Sequence, residues 1–167
     1  GDFMISQIEM VSLEDLVPED HRYRQFSKLW KFGYARKCLK KLEKDNPYKG
    51  YGMLTLFKCL LLQFMEDLSD RDLSRFMQEN TAAKWFCGFG LCKKTPHYIV
   101  FTKTRDRIGT ERLSKLFSRM REKLKAAGYM NEVFSFVDAT SLITKAALWK
   151  ERDEAIQLKY EKLNNKV

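Results

Sequence analysis

Proline and glycine are scarce in this chain, with three prolines and eight glycines among 167 residues. Their scarcity excludes a collagen-like repeat and a Pro/Gly-rich low-complexity polymer. No apolar run reaches the length that crosses a bilayer. The most apolar, Met53 to Met65, is too short and contains Lys58. No basic stretch leads into an apolar segment and a small-residue cleavage site, so no secretion signal is expected. The four cysteines, Cys38, Cys59, Cys87 and Cys92, have no secretory context and are expected as reduced thiols in a cytosol. Cys87, Cys92 and His97 follow a C-x4-C-x4-H spacing. A structural zinc site needs four ligands and closer cysteine pairs, so buried apolar cysteines fit better.

What the chain does hold is core material and positive charge. Hydrophobic residues make up 44% and aromatic residues 13%, enough for a true core. The net charge is +9, which points to an anionic partner. The charge is distributed in blocks. Residues 1–20 carry six acids and no lysine or arginine. Residues 21–44 carry nine bases (Arg22, Arg24, Lys28, Lys31, Arg36, Lys37, Lys40, Lys41, Lys44) against one acid, Glu43. Residues 103–125 carry nine bases against three acids, Asp106, Glu111 and Glu122. Two basic blocks interleaved with aromatic residues suit a surface that tracks phosphates. The alternative is a pair of solvated helix faces.

The hydrophobic spacing predicts a mainly α fold. Val11 to Leu16 reads as a short helical turn, with Ser12 as cap and Asp15 as its capping-box partner. His21 to Lys44 reads as mostly helical, with a break around Gly33. Asn46-Pro47 and Gly50-Tyr51-Gly52 form a turn. Leu54, Phe57, Leu60, Leu61, Phe64 and Met65 make a core-facing stripe on a helix from Met53 to Met65. Ser69 caps a helix over Asp70 to Glu79, whose Arg71 and Arg75 share an outer face. Thr81 caps a short helix through Phe86. Thr95, with Pro96 at the first position, opens a basic helix running to about Ile108. Thr110 caps a helix over Glu111 to Ala127, and Gly128 stops it. Val133 to Val137 is the one convincing strand, ending at Asp138. Helix returns from about Leu142 to Leu163.

The expected architecture is therefore a helical bundle with a helix-turn-helix-like unit, followed by one short strand and a C-terminal helix. The unit would comprise helices 53–65, 70–79 and 96–108. Lys103, Arg105 and Arg107 would lie on or beside the recognition helix, and Arg71 and Arg75 would grip phosphates. Arg36 and Lys37 recur at i, i+4 as Lys40 and Lys41, a basic stripe suited to a second backbone contact. For each of these, surface salt bridging or a solvated face is the alternative. A lone strand needs partners. A carboxylate fixed at a strand end, such as Asp138 before Ala139-Thr140-Ser141, can hold a catalytic metal. Spacing alone favours Asp138 or Thr140 as a cap of the following helix.

Four stretches in order carry a resemblance. They are Leu16-Val17-Pro18-Glu19-Asp20-His21-Arg22-Tyr23-Arg24; Leu68-Ser69-Asp70-Arg71-Asp72-Leu73 with Lys84-Trp85-Phe86-Cys87-Gly88-Phe89; Thr95-Pro96-His97-Tyr98 with Phe101-Thr102-Lys103-Thr104-Arg105; and Phe136-Val137-Asp138-Ala139-Thr140. Together they resemble bacterial insertion-sequence transposases of the DDE type, in the insertion-sequence-five-type branch. The resemblance implies a helical N-terminal DNA-binding domain over residues 1–128. It also implies the truncated start of an RNase H-like catalytic domain over 129–167. It implies recognition of terminal inverted repeats in double-stranded DNA. It further implies Asp138 as the first catalytic acid, holding Mg²⁺ or Mn²⁺ in a complete enzyme.

The chain departs from the family at His97, where Asp is usual, and at Ile99 and Val100, which replace a small polar pair. No second or third catalytic acid is assigned. Glu151, Asp153, Glu154 and Glu161 read as solvated partners of Lys150, Arg152 and Lys162. The resemblance thus describes the DNA-binding portion of a transposase, catalytically incomplete alone and binding no metal tightly. It implies a cytoplasmic, nucleoid-associated location and no membrane. The partner could be a second copy or a full-length transposase. The competing reading is a helical interaction module or truncated regulator of transposition, dimerising through Ile156, Tyr160 and Leu163.

Overall fold

A computed structural model describes residues 8–128 and, further along, residues 148, 151, 154–155 and 158–166. The strand expected at Val133–Val137, Asp138 and Ile156 lie outside the described residues. The fold is mainly α-helical. Its helices are α1 (Leu13–Leu16), α2 (Arg22–Leu29), α3 (Gly33–Lys44), α4 (Met53–Met65), α5 (Asp70–Glu79), α6 (Thr81–Cys87), α7 (Tyr98–Ile108) and α8 (Thr110–Ala126). Residues 158–164 are helical as well.

The hub is α4. Its expected stripe is in fact a nearly complete jacket: Met53, Leu56, Phe57, Leu60, Leu61, Leu62, Phe64 and Met65 are all buried, and Leu54 only partly so. A helix apolar on all sides belongs inside. Helices α3, α5, α6 and α7 surround it. Each large side chain fully buried here contributes about 1.5–3 kcal/mol of transfer free energy. Phe64 meets Phe117 of α8 edge-on at 4.7 Å, joining α8 to the hub.

A second cluster holds the N-terminal helices. The ring of Phe86 on α6 lies 5.5 Å from Tyr23, 5.8 Å from Phe26 and 5.8 Å from Phe32. Phe32 adopts a left-handed backbone (φ 58°) that turns α2 into α3. That conformation disfavours a side chain by roughly 1–2 kcal/mol, and burial of the ring offsets it. Trp30 and Phe32 thus pack in the core and are not free to stack on bases.

Local capping follows the sequence at some ends and not at others. Ser12 and Asp15 form the expected capping box, and Ser69 accepts from Asp72 N–H at 3.1 Å. The other three caps are displaced. Asn80, not Thr81, caps α6, accepting from Ala83 N–H at 2.8 Å. Thr81 is already the first helical residue. His97, not Thr95, caps α7 through Nδ1, which accepts from Ile99 N–H at 3.3 Å. Helix α7 therefore starts at Tyr98, two residues beyond Pro96, whose carbonyl accepts from Ser74 Oγ. His97 thus supplies the capping acceptor of α7. Gly109, not Thr110, precedes α8, and it alone joins α7 to α8 at φ +83°. A side chain would strain that joint even though a Cβ there meets open space.

Asn80→Ala should cost about 1 kcal/mol, whereas Thr81→Ala should cost only a few tenths. Urea unfolding of the two variants ranks them. A larger loss from Thr81→Ala would reverse the cap assignment.

Candidate nucleic-acid interface

Much of the first basic block is exposed on α3. This helix buries Ala35 and Leu39 and turns Arg36, Lys37, Lys40 and Lys41 to solvent. Its last turn carries Lys41 and Lys44, where cations complement the helix dipole. Two members of the block are used internally. Arg24 is buried, and its guanidinium donates to the Val17 and Pro18 carbonyls and to Glu14. Arg22 pairs with Glu66, which also accepts from the Tyr23 hydroxyl. Glu14 in turn accepts from Trp85 Nε1 at 2.6 Å, and the Trp85 ring is half-buried against the core. Glu14 and Glu66 thus neutralise the block's first two arginines.

Helices α4, α5 and α7 pack against one another, as the helix-turn-helix-like unit requires. The connection from α5 to α7 is longer than a tight turn, because α6 and the 88–97 segment intervene. On α5, Leu73, Ser74 and Met77 face inward while Arg71 and Arg75 are exposed. The Arg71 guanidinium lies over the Tyr98 ring, 4.6 Å from its centroid, and donates to the Tyr98 hydroxyl at 3.3 Å. On α7, Phe101, Thr104, Arg105 and Ile108 are buried, and Ile99 and Lys103 are exposed one turn apart.

Arg105 is the main correction. The basic run suggests a surface residue, but the side chain is 5% exposed. Its guanidinium grips Asp70 in a fork, Nη1 to Oδ1 at 2.8 Å and Nη2 to Oδ2 at 3.0 Å. Gln63 Nε2 donates to Oδ1 at 2.6 Å and Thr102 Oγ1 to Oδ2 at 2.6 Å. Gln63 Oε1 accepts from Arg105 at 3.2 Å. Burial pushes the Asp70 carboxyl up, but the Arg105 guanidinium and the Thr102 and Gln63 donors outweigh it and hold the carboxyl below the ordinary range. This network clasps α4, α5 and α7 together and is closed to DNA. Arg107 is also partly committed: its Nη2 donates to the Leu42 carbonyl at 3.0 Å, tying α7 to the end of α3.

Of the residues expected to touch DNA, the structure leaves Arg36, Lys37, Lys40, Lys41, Arg71, Arg75 and Lys103 on the surface. The clasp partners Gln63, Asp70 and Thr102 escaped sequence reasoning. Asp70 reads locally as a helix N-terminal acid, and nothing local pairs it with Arg105. Asp138 lies outside the described residues. Cys87, Cys92 and His97 are not gathered as ligands. Cys87 is buried, with its thiol pushed up by burial and by Cys59; Cys92 is exposed; His97 is a cap. Among the described residues no cluster of three or more His, Cys, Asp or Glu side chains could hold a metal, and no helix is long and apolar enough to cross a membrane.

Compared with known proteins, residues 11–107 match the family described as Transposase domain (DUF772). The match ends at Arg107, so it takes in α1 to α6 and all but the last residue of α7, with the clasp inside it. No curated protein and no solved structure matches the chain.

Proposed function

The chain belongs to the transposase domain family DUF772, which gives it a transposition-related function, and on that premise we propose that its helical part binds double-stranded DNA at the terminal inverted repeats of a mobile element. The observation that carries the reading is the clasp. A bidentate buried ion pair fixes α5 against α7 without using their outer faces. Those faces then differ in chemistry. Arg71 and Arg75 on α5 are fitted to hold phosphates, which position a duplex without reading it. Ile99 and Lys103 on α7 combine an apolar contact with a cation, the pairing that reads thymine methyls and guanine edges in a major groove. In this reading α7 acts as the recognition helix with α4 and α5 behind it, in a helix-turn-helix-like arrangement with a long connection. Lys103 takes the role that the basic run suggested for Arg105.

The resemblance to DDE transposases would put Mg²⁺ or Mn²⁺ at Asp138. The DNA contacts proposed here do not involve that residue. A second reading, association through the C-terminal helix, is favoured by the exposure of Leu158, Tyr160 and Leu163.

Selection of duplexes from a random library at low salt tests the proposal. One motif should be enriched, and Lys103→Ala should relax the preference at one base position, by about 1–3 kcal/mol. Retention without enrichment would remove terminal-repeat recognition. Absence of binding, with dimers that persist in salt, would move the weight to the association reading.

A further inference from the structure

A groove runs between α3 and the start of α8. It has a volume of about 810 Å³ and is walled by Tyr34, Lys37, Lys41, Arg112 and Lys115, with Ile108, Gly109 and Thr110 where α7 turns into α8. Four of its lining residues are cations and one, Glu111, is an acid. Lys37, Lys41 and Lys115 are exposed, and Arg112 is half-buried. Among the described residues Lys37, Lys41 and Arg112 have no acidic partner. Lys115 faces Glu111 at 3.4 Å, one turn away on the same exposed surface. Such exposed pairs are weak and yield easily to a stronger anion.

Cations converging on a concave surface repel one another unless an anion sits between them. The glycine joint supplies the concavity, because Gly109 contributes no side chain where α7 meets α8. The groove opens at the C-terminal end of α7, and Arg71 sits at the other end beside Tyr98. The helix from Tyr98 to Ile108 is about 15 Å long. A B-DNA major groove is about 12 Å wide. The two ends of α7 are therefore spaced like the two backbones that flank one major groove.

We propose that the α3–α8 groove holds the sugar–phosphate backbone of duplex DNA, as a sequence-blind grip formed by Lys37, Lys41, Arg112 and Lys115 at the opposite end of α7 from Arg71. This deepens the DNA-binding reading above and rests on it. The groove fixes the duplex against the bundle, and α7 reads it.

The test uses the full chain, fluorescence anisotropy on short labelled duplexes of several sequences, and a salt titration. The groove variant is Lys37→Ala/Lys41→Ala/Lys115→Ala. The charge-matched control is Lys49→Ala/Lys93→Ala/Lys94→Ala, three exposed lysines that do not line the groove. Circular dichroism melting confirms that both remain folded. Removing three phosphate contacts should flatten the slope of log K against log salt by about 2.7, equally for every duplex. The control should change it far less. Glu111→Gln, which removes the groove's one acid, should strengthen binding of every duplex. If the unaltered chain binds DNA but the groove variant behaves like the control, the groove proposal is overturned and DNA binding stands. The proposal also fails if the loss is confined to one sequence. If the unaltered chain binds no duplex at low salt, the DNA-binding reading itself falls.

Discussion

Arg105→Ala should destabilise the protein by about 3–5 kcal/mol, because it leaves the Asp70 carboxylate buried without its cation. Small domains hold about 5–15 kcal/mol in total, so the variant would stand close to unfolding. The expected loss has nothing to do with lost DNA contact: Arg105 is inside, forked onto Asp70 at 2.8 and 3.0 Å. Urea unfolding measures it. A companion variant separates burial from geometry. Gln63→Leu/Asp70→Leu/Arg105→Met replaces both charges and the buried amide bonded to them by apolar groups and should recover most of the stability, since a buried ion pair is costly to break and cheap to replace. A loss under about 1 kcal/mol for Arg105→Ala would mean the clasp is not what fixes α5 on α7.

The same clasp gives a pH dependence with a definite sign. The folded Asp70 carboxyl lies below its unfolded value of 3.8. A depressed carboxylate binds its proton less readily when folded, so its stabilisation is present above about pH 4 and is lost as the pH falls through the folded value. Arg105→Met with Asp70→Leu should remove that part of the acid transition.

DNA affinity should fall about a thousandfold between roughly 50 and 200 mM salt. Arg71, Arg75 and the four groove cations Lys37, Lys41, Arg112 and Lys115 make six phosphate contacts, which imply a slope near −5. Each contact releases a condensed counterion, and added salt opposes that release. Burying Arg24 and Arg105 and engaging Arg22 and Arg107 lowers the number of available contacts below what the raw count of bases suggests. Anisotropy on one duplex at several salt concentrations measures the slope. A value near −1 would mean that most of these bases stay in solvent while DNA is bound.

Much of the helical pattern was legible in advance because its causes are local. The boundaries of α4 and α5 follow from apolar spacing, from the polar pair Glu66-Asp67 that ends α4 and from the Ser69 cap of α5. The displaced caps of α6, α7 and α8 show the limit of that reasoning. Asn80 and Thr81, or Thr95 and His97, are chemically comparable candidates within a residue or two. Which one caps depends on where the preceding chain is pinned, and Ser74 pins Pro96 from another helix. Periodicity reports the ends of an apolar pattern better than its width, so the α4 jacket shows in the sequence as a single stripe.

The candidate site divides along the same line. The sequence by itself determined a mainly helical chain, its basic blocks and the family to which residues 11–107 belong. It also placed Arg71, Arg75 and the α3 stripe on outer faces, since helical spacing opposes them to Leu73, Met77 and Leu39. Only the tertiary structure decided which bases remain available. Asp70 and Arg105 are 35 residues apart, Arg22 and Glu66 are 44 apart, and Arg107 and the Leu42 carbonyl are 65 apart. A guanidinium is engaged by whatever acid or carbonyl the packing brings within about 3 Å, and chain order does not encode that distance. Charge is a property of the residue, but its availability to a partner is a property of the fold.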